Sequence, residues 1–534
     1  MRYRRKSNQF TNKTQASAKE PPSPAKPESS SSDILNCNLK ANLQQIKKML
    51  GNSTDIIIRE VPVSGSKEPS IAVIYTDGLA DPKEINNSIM RPISSISEGY
   101  KDGSSCSSPL NGQHLLDDIT SGLKDFSEVQ DYTSLLHDLL SGDTILLFEG
   151  LNKGISVSTP GWKDRGVTET SAENVVRGPR EAFSESIRTN TALVRRKIKD
   201  PDLRLETQQI GRRTQTNVGI MFIQGIANEK IVQEVRDRLA VIDVDGILES
   251  GYIEEIIQDK TLTPFPTIYN TERPDVVAAE LLEGKVVILV DGTPFVLVVP
   301  ALFVSFLHAA EDYYQRADIS SFLRLLRYLS IFISLLAPSL YVAISTFHQE
   351  MLPTQLLFGL ASQREQIPFP AFVEAILMEL TFEILREAGV RLPKNIGSAI
   401  SIVGTLVIGQ AAVEAGIISA AMVIVVATTA ISSFVLPSFN MSIAFRMLRF
   451  PLMLLAGSFG LFGIFIGVTA LVLHLCSLRS FGIPYMAPFA PLIPDGQKDA
   501  IIRLPHWLLL TRPRIINKKN VTRRKSTPPE KSRE

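Results

Sequence analysis

Two hydrophobic rhythms divide the chain. Up to about residue 320, apolar residues come in short β-branched runs and single helical faces, interrupted by Ser, Gly, Pro and charge. From Ser321 to Cys476 they come in long stretches, after which the chain turns basic. In the first region DIIIRE and IAVIY are β-branched runs bounded by turn residues, which predicts strands. Asp33 can cap a helix through about Leu50, and Leu115 to Leu140 is helical in pattern. GDTILLFEG predicts another strand and leads through Leu151 to Gly154 into ISVST, closing a first small α/β domain over 33–160. A second α/β unit, 161–310, holds the strand TNVGIMFIQ and a helix from Glu229 to Ala240. Its VVILVDGTPFVLVVP predicts a β-hairpin, because Asp291-Gly292 sits between two β-branched runs. The piece ALFVSFLHAAEDYYQR is too short to span a bilayer and predicts an interfacial helix with Tyr313 and Tyr314 at headgroup depth.

The second region, 311–476, predicts an α-helical membrane domain of about four to six segments. Arg324 and Arg327 precede the span LSIFISLLAPSLYVAISTF. In FPAFVEAILMELTFEIL, Glu379, Glu383 and Glu387 recur at i, i+4 and i+8 on one face, which does not belong against lipid; this helix is interfacial or lines water. Ile396 to Gly416 is long enough to cross, at about 1.5 Å per residue. Its Ser398, Ser401, Thr405 and Gly409 form a small-residue packing stripe, and Val403, Val407, Gln410 and Glu414 take roughly the opposite face. Ile417 to Leu436 follows, and Leu452 to Leu475 carries Gly460, Gly463 and Gly467 on one packing face. Five crossings would place the basic tail 477–534 across the membrane from the α/β domains, against the charge rule, so one segment is expected to be re-entrant or interfacial.

Composition narrows this without redirecting it. A net charge of +1 argues neither for nor against a nucleic-acid partner, and three scattered cysteines (Cys37, Cys106, Cys476) make neither a disulfide framework nor a zinc site; no nucleic acid and no metal are expected. Residues 1–32, basic and rich in Ser and Pro, read as a disordered tail able to touch an anionic membrane surface. No apolar h-region follows the first basic residues, so the α/β domains are expected in the cytoplasm. Arg177, Arg180, Arg188, Arg195 and Arg196 are interleaved with acids, not aromatics, and predict salt bridges between domains or subunits. No phosphate loop, nucleophile elbow, zinc-protease or CxxC motif occurs, and the histidines are isolated; an enzyme and a cofactor are not expected.

Several blocks in order carry a resemblance. LFEGLNKGISVSTPGW, VVRGPREAFSESIRTNTALVRRKI, TERPD with EGKVVILVDGTPFVLVVP, AEDYYQR, PTQLLFG and VIGQAAVEAGIISAAMVIVVA together resemble the A subunits of GerA-type spore germinant receptors, from about residue 115 to 510. The resemblance implies a multi-pass protein of the spore inner membrane. It would work with a transporter-like B subunit that binds the nutrient and a lipid-anchored C subunit. It also implies homo-oligomers that form or gate a cation channel at the start of germination. A non-conducting scaffold, or an accessory germination protein of the same family, would carry nearly the same blocks.

On that basis Gln410 and Glu414 are candidates for a pore mouth, since one Glu per copy would make a carboxylate ring. Val403 and Val407 would form the apolar constriction one to two turns deeper. The bland reading ends the helix at Glu414 in the headgroup region. Glu379 and Glu383 are a second pair of pore-lining candidates, set against the wet face of an interfacial helix.

Overall fold

The computed structural model describes residues 34–62, 70–99, 116, 126–161, 173, 175–365, 367–391, 409–513, 515–516 and 520–523. The N-terminal tail 1–32 lies outside these residues.

The first domain begins with α1 (Leu39–Leu50), capped by the Asn38 side chain and closed by Gly51 at φ 60°. Its strands are β1 (Ile56–Val61), β2 (Ile71–Thr76), β3 (Phe126–Val129), β4 (Thr144–Phe148) and β5 (Gly154–Val157), with helices α2 (Arg91–Gly99) and α3 (Tyr132–Ser141). The sheet is antiparallel throughout, in the order β1-β2-β4-β5-β3. α1 and α3 cover one face through Leu39, Ile46, Leu135 and Leu139. The helical stretch 85–93 covers the other through Ile85, Ile89 and Ile93. Covering on both faces is why the central strands are buried at every position and almost wholly apolar instead of alternating. Where the sequence predicts one helix over Leu115 to Leu140, the chain forms strand β3 and then α3. The edge strand β3 exposes Phe126, Ser127 and Glu128, so it lacks the apolar run that marks a strand.

The second domain repeats that plan. α4 (Ile187–Lys197) leads into β6 (Leu203–Ile210) and β7 (Thr216–Ile223). α5 (Glu229–Ala240), α6 (Ser250–Ile257), β8 (Tyr269–Thr271), α7 (Pro274–Leu282), β9 (Val286–Val290) and β10 (Val296–Val299) complete it. Its antiparallel sheet runs β6-β7-β9-β10-β8, the same order as the first. β9 and β10 form the hairpin around Asp291-Gly292, with Ile288 opposite Leu297.

The two domains are locked by a charge pair. Arg195 of α4 donates to Asp55 from Nε at 2.7 Å and from Nη2 at 3.0 Å, and Nη2 also reaches Ser53 Oγ at 3.0 Å, all buried. Arg204 passes its guanidinium under the turn after α1 to Met49 O, and a Cβ at Gly51 would collide with it.

Beyond β10 the predicted interfacial helix is absent. Residues 303–313 form two 3-10 turns whose Phe303, Val304, Phe306 and Leu307 are buried in the second domain's core. Tyr313 and Tyr314 accordingly bond to Asp499 and Asp275 inside the protein, not at headgroup depth.

The helical bundle holds α8 (Ala317–Phe347), α9 (Thr354–Glu365), α10 (Ala371–Arg391), α11 (Gly409–Glu414), α12 (Ala420–Phe434) and α13 (Phe439–Ser477). Among the described residues, α8 and α13 are long and apolar enough to cross a membrane. The predicted single span Leu452 to Leu475 is broken: Gly460 has φ 62° and ψ −141°. There α13 folds back on itself. Gly463 sits on the Leu455 carbonyl and Gly467 on Leu452, and Phe265 stacks on both Phe445 and His474, one from each arm. The arms are about 30 Å and about 25 Å long.

Asp55→Ala strands the buried Arg195 guanidinium, so the full chain should lose about 3–5 kcal/mol in denaturant unfolding. Asp55→Leu with Arg195→Met should recover most of it. Unchanged stability in Asp55→Ala would show that the pair does not hold the domains together.

Candidate functional site

Side-chain contacts give the bundle two ends, one against the α/β domains (near) and one remote from them (far). α8 runs from near to far: Tyr328 bonds to Ala500 O at its base, and Tyr341 meets Ser419 Oγ at 3.1 Å towards its tip. α10 runs back, from Phe372 against Gly457 to Arg386 over the Phe434 ring. α12 runs far to near, from Ser419 to Ser433. The first arm of α13 runs near to far, reaching Phe347 and His348 at Gly460, and the second arm returns to Thr263 through His474. The chain therefore leaves α10 at the near end and enters α12 at the far end.

A ladder of charge joins α10 to the first arm of α13. Arg449 bonds to Glu379, both essentially inaccessible, and Arg446 Nη1 donates to Glu383 Oε2 at 2.7 Å. Spacings of four on α10 and three on α13 are both one helical turn, so antiparallel helices bring both pairs into register. Arg446 and Arg449 are therefore interior partners. Glu374 is buried too, its Oε1 accepting from Ser419 N and Oγ at 2.5 Å, which ties α10 to the N-terminus of α12. Glu387 bonds to Arg391 on its own helix. Glu379 and Glu383 are thus bound within the chain's own bundle.

Glu414 differs. It is exposed, and the partner recorded for it is Gln410 Nε2 at 2.9 Å. On the other side of α11, Gly409 is buried with Val423 3.7 Å from the position of a Cβ. Of the predicted pore face, Val403 and Val407 lie outside the described residues, as do Ser398, Ser401 and Thr405 of the packing stripe. Gly460, Gly463 and Gly467 lie at and just after the reversal, where the arms approach.

At the near end Asp312 anchors the base of α8. Arg324 Nε donates to it at 3.1 Å and Arg327 at 2.6 and 2.8 Å. Burial alone would raise the Asp312 carboxyl, but the two guanidiniums hold it below the usual carboxylate range. Arg324 also bonds Asp499 Oδ1 at 2.8 Å, and Tyr313 OH donates to Asp499 Oδ2 at 2.9 Å. The C-terminal segment is therefore not a free tail: its described residues from 479 on pack against the rest of the protein, with Tyr485, Ala500, Leu509 and Ile516 buried. Sequence reasoning missed Asp312 and Asp499, because their partners lie 12 and 175 residues away.

These features define a protein in which paired α/β domains of one topology are clamped to the base of an apolar, charge-laddered helical bundle. The chain belongs to the GerA family: residues 44–515 match the family described as Bacillus/Clostridium GerA spore germination protein. It is 48% identical to spore germination protein KA of Bacillus subtilis (strain 168), over 92% of this chain and 89% of that one. It is 39% identical to spore germination protein GerLA of Bacillus cereus, over 91% and 97%. The crystal structure of the N-terminal domain of the A subunit of the Bacillus megaterium spore germinant receptor GerK3 matches with 44% identity and a TM-score of 0.40, covering 51% of this chain and 97% of that one.

Arg449→Met leaves Glu379 buried without its cation and should cost about 3–5 kcal/mol, read as earlier unfolding of the reconstituted chain. Glu379→Leu with Arg449→Met should restore most of that stability. Equal stability of the single variant and the parent would refute the ladder as a packing determinant.

Proposed function

We propose that the chain is the A subunit of a spore germinant receptor and lines a gated cation path in a symmetric homo-oligomer. The observation that carries this is the isolation of Glu414. Of the five carboxylates among the described residues between Ala371 and Phe434, Glu374, Glu379, Glu383 and Glu387 are bonded to other helices or to a guanidinium. Among the described residues Glu414 has only the Gln410 amide as partner and is exposed, while Gly409 across the helix packs on α12. Copies related by an axis would gather that face into a carboxylate ring, which concentrates cations. Val403 and Val407, earlier on the same helical face, would form the constriction below it.

The same reading implies a topology. With the segment Ile396–Gly416 joining the near end of α10 to the far end of α12, α8, α10, that segment, α12 and the two arms of α13 would make six passages between near and far ends, an even number. The C-terminal segment then stays on the side of the α/β domains, where its basic residues belong. The transporter-like B subunit and the lipid-anchored C subunit are the expected partners in the membrane. A scaffold that moves no ions is the competing reading.

Val403→Ala should leak cations without nutrient when the subunit is reconstituted in liposomes, and Glu414→Gln should lower cation flux several-fold. Parent and both variants passing no ions would favour the scaffold. In a cysteine-free background, Glu350→Cys should react with an impermeant maleimide from the side opposite Arg479→Cys. Labelling of both from one side would refute the six-passage order.

A further inference from the structure

Between the second α/β domain and the C-terminal segment lies a cavity of about 530 Å³ that the permeation reading does not use. Three stretches distant in sequence wall it: α7 with the following Lys285, the linker Leu302–Tyr314, and residues between Ala487 and Arg523. Its volume is that of sites for small organic molecules. Val276, Ala279, Leu282, Val304, Ile493 and Leu509 give it an apolar body.

The charge on the wall is uneven. Each of its four carboxylates already has a cation: Asp275 has Arg273 at 2.9 Å, Glu280 has Lys285 at 2.7 Å, Glu283 has Arg523, and Asp499 has Arg324 at 2.8 Å. Among the described residues Arg512 has no such partner. Its Nε donates to Leu282 O at 2.7 Å, and its Nη1 reaches Asn520 Oδ1 at 2.9 Å and Thr522 O at 3.0 Å; all are neutral oxygens. Burial lowers its pKa with no acidic neighbour to offset it. His308, also on the wall, adds no charge at neutral pH, since burial and the nearby Arg324 push it down to about 4. The phenols of Tyr313 and Tyr314 are already donating to Asp499 and Asp275. Lys498 and His506 on the wall have partners of their own, His506 Nε2 meeting Tyr313 O at 3.1 Å. What remains is the guanidinium of Arg512, with Nη2 as its open donor, at the edge of an apolar chamber, an arrangement suited to an anion on an apolar body.

We propose that this cavity binds a small amphipathic monoanion, with its carboxylate or phosphate on Arg512 and its apolar part between α7 and the C-terminal segment. The occupant would bridge two elements already joined by Arg512 and the Arg523–Glu283 pair. It would also lie against Asp499 and Tyr313, which hold Arg324 at the base of α8. Binding would therefore stiffen the joint between the second domain and the bundle. The site stands or falls independently of the pore, because its readout is binding.

The full chain in phosphatidylcholine nanodiscs would be titrated with 4-phenylbutyrate and, separately, with 4-phenylbutylamine, followed by saturation-transfer NMR. The acid should bind and the amine should bind about tenfold more weakly or not at all. Arg512→Gln should weaken the acid about tenfold or more, the scale of one charge-assisted contact. Ala279→Phe, which fills the chamber without touching its ion pairs, should abolish binding while circular dichroism stays that of the parent. Displacement of the acid when phosphatidylglycerol is added to the discs would identify an anionic lipid as the source; persistence would identify a soluble acid. Equal binding of acid and amine, or parental affinity in Ala279→Phe, would overturn the proposal.

Discussion

Charge in an apolar bundle must be answered from within, and this requirement fixes the helical half of the molecule. α10 carries Glu374, Glu379 and Glu383 among apolar residues, and none of them could be buried alone. Arg446 and Arg449 answer two of them, and the amide and hydroxyl of Ser419 answer the third. Helices that meet through two such pairs cannot slide by a turn without leaving a charge unpaired on each side. The ladder therefore sets the register and the antiparallel direction of α10 and α13, and through Ser419 the entry point of α12. Glu414 stands out because, among the described residues, no cation answers it.

Gly460 supplies the second constraint. A residue with a side chain would meet His348 and Phe347 there, and φ 62° with ψ −141° is open essentially to glycine alone. The reversal turns one apparent span into two arms and brings the chain back to its starting side. That return lets Asp499 reach Arg324 and Tyr485 enter the second domain's core. A basic sequence end thus becomes a structural strap. In the sequence, Gly460, Gly463 and Gly467 look like one packing face; in the fold the first makes the turn and the other two let the arms close.

What was legible in the sequence followed local physics. The Asp291-Gly292 hairpin, the β-branched strands and the helix over Glu229 to Ala240 depend on neighbours within a few residues, and they stand where the pattern put them. The segment 303–313 was misjudged because its apolar residues serve the second domain's core, a role that length and hydropathy do not distinguish from an interface. The exposed edge strand β3 carried no apolar signal. Interior charge partners were hidden by separations of 63 and 70 residues, although charges one turn apart in two apolar runs were the clue. The shared strand order of the two α/β domains left no repeat in the sequence that we could read.

That shared order bears on how the soluble half communicates with the helices. The first domain touches the second through Asp55 and Arg195 and the turn at Gly51, on the side of α4 and β6. The second domain touches the bundle through the opposite end of its chain: Phe303 and Phe306 lead directly into Asp312, which grips Arg324 and Arg327. Both connections are buried ion pairs of arginine with aspartate, stiff and directional where an apolar contact would permit sliding. A rotation of the first domain against the second would therefore reach the base of α8 through one sheet and the buried turns 303–313. Asp499 belongs to that same anchor and arrives from the C-terminal strap, so the position of α8 depends on both ends of the helical half being held at once.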